Sequence, residues 1–359
     1  MVFRTLRQAH DLLNRRGMTV LSSTCSTVLA LCVVLPTLSV AQTKPRVEPT
    51  APTATTSDPA LTFASLDEPR RRGLALQVAL DRLGFSPGEI DGKPGRNTER
   101  AAAAAREARG ADVAPDDQPL TTYTVTPEDA AGPFVELPDD MMAKSKLPAL
   151  GYGSLLEMLS ERFHTSPALL TELNPNARLD AGTVLVVPHV EPFVASPPAK
   201  SATPADKTAK GKAAADRAGE SNVGALTVTV TGRADTLQVS DAAGKVIFHA
   251  PVTVGSKQDP LPVGEWKVNG VSRYPTFHYN PDLFWDADPS HAKARLAPGP
   301  NNPVGVVWID LSKEHYGIHG TPEPSRIAYT ESHGCIRLTN WDAMRLAALV
   351  GPGTRVVLR

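Results

Sequence analysis

Cysteine is nearly missing from this sequence: there are three in 359 residues, and two of them, Cys25 and Cys32, lie close to the N-terminus. If that segment is removed, Cys335 stands alone. A lone cysteine in an exported chain excludes an internal disulfide, so its thiol must serve chemistry or packing. Paired metal-ligand cysteines are also missing. No CxxC spacing occurs, which leaves Cys335, His319 and His333 as a loose three-ligand alternative and no metal or other cofactor as the expectation. A charge excess of either sign is lacking too: 37 Lys and Arg face 38 Asp and Glu, for a formal net charge of −1. Nothing in that balance builds the basic surface that a nucleic-acid partner requires.

Other features are abundant. Arg4, Arg7, Arg15 and Arg16 precede an apolar run from Val20 to Val40, and Ser39-Val40-Ala41 follows as a small-residue cleavage site. Residues 1–41 therefore read as a signal peptide. It would deliver a periplasmic or cell-envelope protein that keeps no membrane span after cleavage. A signal anchor is the alternative, although Ser22, Ser23, Thr24, Ser26 and Thr27 dilute the run. Leu31 before Cys32 and Thr24 before Cys25 argue against lipidation. The 33 prolines are more than one compact body uses and point to linkers. Residues 42–66 are rich in Thr, Pro and Ala and residues 191–222 in Ala, Pro, Lys and Asp, so both read as disordered. The second is a tether with a coil-like reach of about 30 Å. It should let the parts on either side fold independently.

Residues 67–115 read as helical. Leu76, Ala79, Leu80 and Leu83 recur at helical spacing and Gly84 stops the first helix. Asn97 is placed to cap a second helix through Ala101 and Ala105. Residues 121–190 run strand, helix, helix, strand, from Thr122-Tyr123-Thr124-Val125 to Val184–Pro188, with an insertion around Gly132–Leu150. From Leu226 the pattern turns to short alternating strands, including Val304–Leu311 and Arg355–Arg359. One helix, Asn340–Val350, interrupts them, with Asn340 as its cap and Trp341, Met344, Ala348 and Leu349 as its buried stripe. Arg273–Pro303 reads as an extended loop or lid.

The densest chemistry is Ser332-His333-Gly334-Cys335-Ile336-Arg337, with Ile318-His319-Gly320 upstream. A thiol beside imidazoles is the arrangement that yields a thiolate nucleophile at neutral pH. The competing role for a single cysteine is that of a small core hydrophobe, but flanking glycine and histidines are not typical of a core. His333, two residues from Cys335, would project on the same side if the segment is extended. Gly334 permits close approach, so its amide and that of Cys335 suit a developing oxyanion. Arg337 suits a substrate carboxylate or a bidentate loop contact, and Ser332 a supporting hydroxyl.

These residues resemble the signature of the L,D-transpeptidases, the YkuD-type catalytic domain of bacterial cell-wall enzymes. His319, Ser332, His333, Gly334, Cys335, Ile336 and Arg337 fill its fixed positions. Val254-Gly255-Ser256 through Leu261-Pro262-Val263-Gly264-Glu265-Trp266 is similar to the family's upstream glycine segment, with Leu261 and Trp266 in place of the usual Thr and Phe. The resemblance covers residues 223–359 and implies a mainly β catalytic domain, β-sandwich-like with one short helix. It also implies Cys335 as nucleophile, His319 as general base and acid, the Gly320 carbonyl as the group that orients the ring, and a lesser role for His333. The implied substrate is a peptidoglycan tetrapeptide stem, acylated onto Cys335 at its third residue with loss of the terminal D-Ala. The acceptor would be a second stem, giving a 3→3 cross-link, or the lysine of a wall-anchored protein. A thiol hydrolase or L,D-carboxypeptidase, with water as acceptor, and an inactive wall-binding scaffold are the other readings.

Leu76-Gln77 to Gly84-Phe85, Gly88–Gly92 and Gly95–Thr98 resemble the small helical peptidoglycan-binding domain, a plain helical spacer being the alternative. Residues 121–190 resemble a diverged α+β LysM module, which grips glycan strands.

Overall fold

The computed structural model describes residues 58–195 and 226–359. The expected signal segment, most of the linker at 42–66 and the tether beyond residue 195 lie outside the described residues. Part of that first linker is corrected. Asp58 accepts the Ala60 N–H and Pro59 fills the first helical turn of α1 (Pro59–Ser65), and Leu66 after it is buried in a core. A cap, a proline at the start and one apolar anchor outweigh a polar composition. Among the described residues no helix is long and apolar enough to cross a membrane.

Asp67 caps α2 (Glu68–Arg82) through the Arg70 N–H, and Gly84 turns the chain out of it at φ 80°. In α3 (Arg96–Arg109) the cap position falls to Gly95. Asn97 is therefore inside the helix rather than capping it, and its Nδ2 donates to the Ile327 carbonyl at 3.3 Å. Next come β1 (Leu120–Thr124), α4 (Pro127–Ala131), α5 (Met141–Lys144), α6 (Leu155–Arg162), α7 (Pro167–Leu173) and β2 (Val184–Pro188). β1 and β2 pair antiparallel, with Tyr123 opposite Leu185. Asn174 ties α7 to β2: its Nδ2 donates to the Leu170 and Val186 carbonyls at 2.9 and 2.7 Å, and its Oδ1 accepts the Val186 N–H at 2.7 Å.

The C-terminal part contributes β3 (Thr227–Thr231), β4 (Thr236–Ser240), β5 (Val246–Pro251), β6 (Gly264–Arg273), β7 (Phe277–Tyr279), β8 (Ala294–Leu296), β9 (Val307–Leu311), β10 (Gly317–His319), β11 (Ile336–Arg337), α8 (Asn340–Leu349) and β12 (Arg355–Leu358). Apart from the β7–β8 hairpin, these strands form one eight-stranded sheet in the order β11-β10-β9-β6-β12-β3-β4-β5. The expected β-sandwich is thus a single curled sheet. β6 makes the turn: its first half pairs with β12, a bulge falls between Val268 and Gly270, and its second half pairs with β9.

Thr339, not Asn340, caps α8, because its side chain accepts the Asp342 N–H. The buried face is rotated accordingly, to Trp341, Ala343, Leu346 and Ala347, with Ala348 exposed. The strand expected from Val304 starts at Val307, after Gly305 turns at φ 60°.

The parts on either side of the tether do not stand apart but pack against each other. Leu74, Val78 and Ile90 share one core with Leu120, Leu159 and Leu185, so the helical and strand–helix stretches are a joint body. Two short helices and a two-stranded ribbon cannot each enclose a core. That body is fastened to α8. Arg345 places Nη1 and Nη2 each 2.9 Å from an oxygen of Asp81, and the His164 Nδ1 lies 3.1 Å from the same carboxylate. His164 stacks on Trp341 at 5.1 Å between centroids, and the Ser86 hydroxyl donates to Asp342 at 2.7 Å. Linker composition says nothing about docking, since the entropic cost of closing a loop grows only slowly with its length.

Candidate active site

β10 and β11 run parallel, with Ile318 opposite Ile336 and His319 opposite Arg337. The two isoleucines are 1% and 0% exposed and point into the core. Alternation then turns His319 and Arg337 to the other face, and stepping the register back by one sets Cys335 beside Gly317. The parallel pair is how residues sixteen apart in sequence come to share a surface. Arg337 is locked to Thr253 by backbone bonds of 3.0 and 2.9 Å in the two directions, and Ser256 donates to the Ser332 carbonyl at 3.1 Å. The glycine segment around Gly255 therefore pairs with the motif loop. A side chain on Gly255 would meet the Asp259 carbonyl at 2.1 Å.

His319 is 4% exposed. Its Nδ1 lies 2.7 Å from the Gly320 carbonyl. A carbonyl only accepts, so Nδ1 carries the proton and Nε2 is left as the basic nitrogen. Trp308 stacks on the ring at 5.6 Å and 20°. Burial, helped by the Arg337 charge, drives the imidazole pKa down to about 3, against a small opposing pull from the Gly320 carbonyl.

Burial likewise pushes the Cys335 thiol up, opposed by the Gly317 N–H and the Arg337 charge. Its sulfur is 3.9 Å from the His315 carbonyl. Both shifts favour the uncharged forms, a thiol and an imidazole, over the thiolate expected from the motif. Desolvation penalises both ions; the Arg337 guanidinium partly offsets that penalty for a thiolate and adds to it for an imidazolium. No direct hydrogen bond joins Cys335 to His319 among the described residues.

The other motif residues divide. The Ser332 hydroxyl donates to the Cys335 carbonyl at 2.6 Å, bracing the loop. Gly334 sits at φ 99°, and a Cβ there would meet the Tyr316 ring at 2.8 Å. That turn breaks the extended segment assumed for His333. Its Nε2 instead meets the Asp286 carboxylate at 2.7 Å, with Phe284 and Trp285 against its ring. The Arg337 side chain lines a pocket with Thr253, Thr321, Glu323 and Arg326.

Sequence reasoning left several neighbours without a role. Trp308 and Tyr316 carry no local motif that would mark them as neighbours of the site. Asp286 sits in the lid stretch, far from the motif in sequence. The insertion supports that lid: Asp140 meets His291 at 2.8 Å, and the other nitrogen of His291 meets the Tyr279 hydroxyl at 2.9 Å.

Comparison with known proteins adds to this geometry. Residues 227–358 match the family model of the L,D-transpeptidase catalytic domain, YkuD. A protein named "Putative L,D-transpeptidase YkuD" in Bacillus licheniformis is 28% identical over 207 residues, covering 57% of this chain and 93% of its own length. Its Bacillus subtilis counterpart is 28% identical over 209 residues, covering 57% and 94%. Among solved structures, an L,D-transpeptidase from Mycobacterium smegmatis is similar at 20% identity, 37% and 58% coverage and TM-score 0.30. L,D-transpeptidase 3 from Mycobacterium tuberculosis is similar at 19% identity, 38% and 61% coverage and TM-score 0.32. The chain thus spans about three fifths of the length of these solved chains. Residues 227–358 are an L,D-transpeptidase catalytic domain of the YkuD family. The Bacillus match is longer than this domain and runs upstream of it, since only Arg359 follows residue 358.

Proposed function

We propose that this chain is a peptidoglycan L,D-transpeptidase of the cell envelope, working through a Cys335 thioester. The observation that carries the reading is the Nδ1 bond from His319 to the Gly320 carbonyl, which keeps Nε2 free as a base on the face shared with Cys335. In the first half-reaction Nε2 takes the thiol proton as the sulfur attacks the carbonyl carbon at the third stem residue. The amide C–N bond then breaks, and the imidazolium returns the proton to the departing D-Ala amine. In the second half an acceptor amine attacks the thioester, its proton passes to Nε2, and the sulfur leaves and is reprotonated. Because imidazole and thiol rest neutral, proton transfer accompanies attack rather than preceding it.

The tight turn at Gly334 suits its amide and that of Cys335 to the tetrahedral oxyanion. Arg337 suits the stem carboxylate: it lines a pocket and makes no ion pair among the described residues. His333, held by Asp286, would couple the motif to the lid and through it to substrate. The upstream body, resembling peptidoglycan-binding and LysM modules, would hold the enzyme on glycan strands and raise the local concentration of stems.

Purified chain incubated with disaccharide-tetrapeptide, followed by mass spectrometry, tests this. Cross-linked dimers lacking one D-Ala are expected. Tripeptide alone would make water the acceptor and the enzyme a carboxypeptidase. Unchanged tetrapeptide would leave only a wall-binding scaffold.

A further inference from the structure

The Gly320 carbonyl that orients His319 is itself supported, and the support leads out of the catalytic domain. Asn340 is wholly buried, at 0% exposure, just inside the N-terminus of α8. Both ends of its amide are occupied. Oδ1 accepts the Val306 N–H at 3.1 Å, while Nδ2 donates to the Glu161 carboxylate at 2.7 Å and to the Pro300 carbonyl at 3.1 Å. This amide lies directly against the turn that follows the histidine. A Cβ on Gly320 would fall 2.2 Å from Oδ1, and one on Gly305 would fall 2.0 Å from the same atom and 2.6 Å from the Gly320 carbonyl carbon. Gly320 thus has no room to shift towards α8 unless the Asn340 amide rotates.

What prevents that rotation is Glu161, at the end of α6 in the upstream body. It is 7% exposed, and its second oxygen accepts the Tyr152 hydroxyl. Two donors converge on one buried carboxyl, so its position is set by both. We infer that Glu161, acting through Asn340 and the Gly320 backbone, is a positioning residue for the His319 imidazole. The upstream body then has a part in catalysis separate from wall binding: it completes the frame that aims the base. Val307 receives the Gly320 N–H at 3.3 Å and His319 receives the Leu338 N–H at 2.8 Å. Those bonds fix the strand on either side of the turn and leave its α8-facing side to Asn340. Without Glu161, Nδ2 would keep only Pro300, a single acceptor about which the amide can turn.

The consequence for turnover rests on the transpeptidase reading above, so the experiment reads the ring as well as the rate. In the full chain, Glu161→Ala should lower kcat for acyl transfer by ~10-fold to ~10²-fold, the scale on which misplaced catalytic groups act. KM for the tetrapeptide donor should stay within about twofold, because nothing that touches donor is altered. Nitrogen-15 NMR should show the His319 Nδ1 resonance moving as its carbonyl bond loosens. Glu161→Gln keeps an oxygen for Nδ2 and should recover most of kcat and the original resonance. If Glu161→Ala does not fold, Glu161→Asp replaces it, retaining the charge while drawing the oxygen away from Nδ2. Wild-type kcat with an unmoved Nδ1 resonance would overturn the inference, and so would equal losses in the Ala and Gln variants. An inactive wild-type protein whose resonance still moves on substitution would sink the transpeptidase reading and leave the positioning role standing.

Discussion

Two histidines in this chain are buried against tryptophan rings and put to opposite uses. His319 stacks on Trp308 and His164 on Trp341, at centroid distances of 5.6 and 5.1 Å. Both are almost without solvent exposure, at 4% and 1%. The difference is the oxygen each Nδ1 meets. For His319 it is the uncharged Gly320 carbonyl at 2.7 Å. For His164 it is the Asp81 carboxylate at 3.1 Å, which also holds Arg345. A carbonyl fixes the tautomer without supplying a counter-charge, so burial prevails and a neutral base results. A carboxylate shared with an arginine makes an ion-paired clamp, and His164 and Arg345 hold the Asp81 carboxyl far below its ordinary range although burial alone would raise it. Nearly identical packing thus leaves an uncharged imidazole in one place and a fastener in the other.

The strongest test of the first half is at the proposed nucleophile. Cys335→Ser should reduce acyl transfer by at least ~10³-fold, since a hydroxyl is a far poorer nucleophile than a thiol, while the melting temperature stays unchanged. Turnover near the wild-type rate would remove Cys335 from the reaction. A carbapenem should acylate the chain once, and intact mass should show that adduct lost in Cys335→Ala.

His319→Ala should cost ~10²-fold to ~10⁴-fold and more than His333→Ala, because the first ring lies on the strand face shared with Cys335 while the second is held by Asp286. Measured kcat/KM values in the reverse order would exchange their roles. The acid limb of the pH–rate profile should also lie well below the ordinary histidine value, since the ring stays neutral down to about pH 3. A limb near 6.5 would contradict the carbonyl-only environment.

The clamp should break differently. Asp81→Ala strands His164 and Arg345 in the interface and should cost about 3–5 kcal/mol of stability, read as a lower denaturant midpoint. The folded fraction should retain its catalytic constants. Deleting residues 58–222 would strip the cover from Trp341, and that fragment should aggregate or lose near-ultraviolet dichroism; a monomeric, fully active fragment would show the clamp to be dispensable.

The smallest effect concerns the acids of the same interface. Burial raises Glu161 to about 7 and Asp342 to about 6. A carboxyl whose pKa is higher folded than unfolded binds more protons in the native state, so its contribution to stability falls as pH climbs from the unfolded value to the folded one. Glu161→Gln should therefore melt with a shallower decline between about pH 5 and about pH 8 than the wild type. Parallel curves would mean that Glu161 is ionised throughout.

The sequence alone brought the candidate site into view. Ser332 to Arg337 and His319-Gly320 carry the proposed nucleophile, base and ring-orienting carbonyl in local order, and the strand and helix periodicities pointed to a mainly β domain with one helix. These features are written in adjacent residues, where side-chain type and short-range geometry suffice. Only the tertiary structure decided that Asp286 holds His333, that the Asn340 amide packs against Gly320 rather than capping α8, and that Asp81 and Glu161 reach across from the upstream body. In each case the partners are tens to hundreds of residues apart. Local pattern cannot reveal such pairings, because burial and the identity of the facing oxygen come into being only when the elements pack.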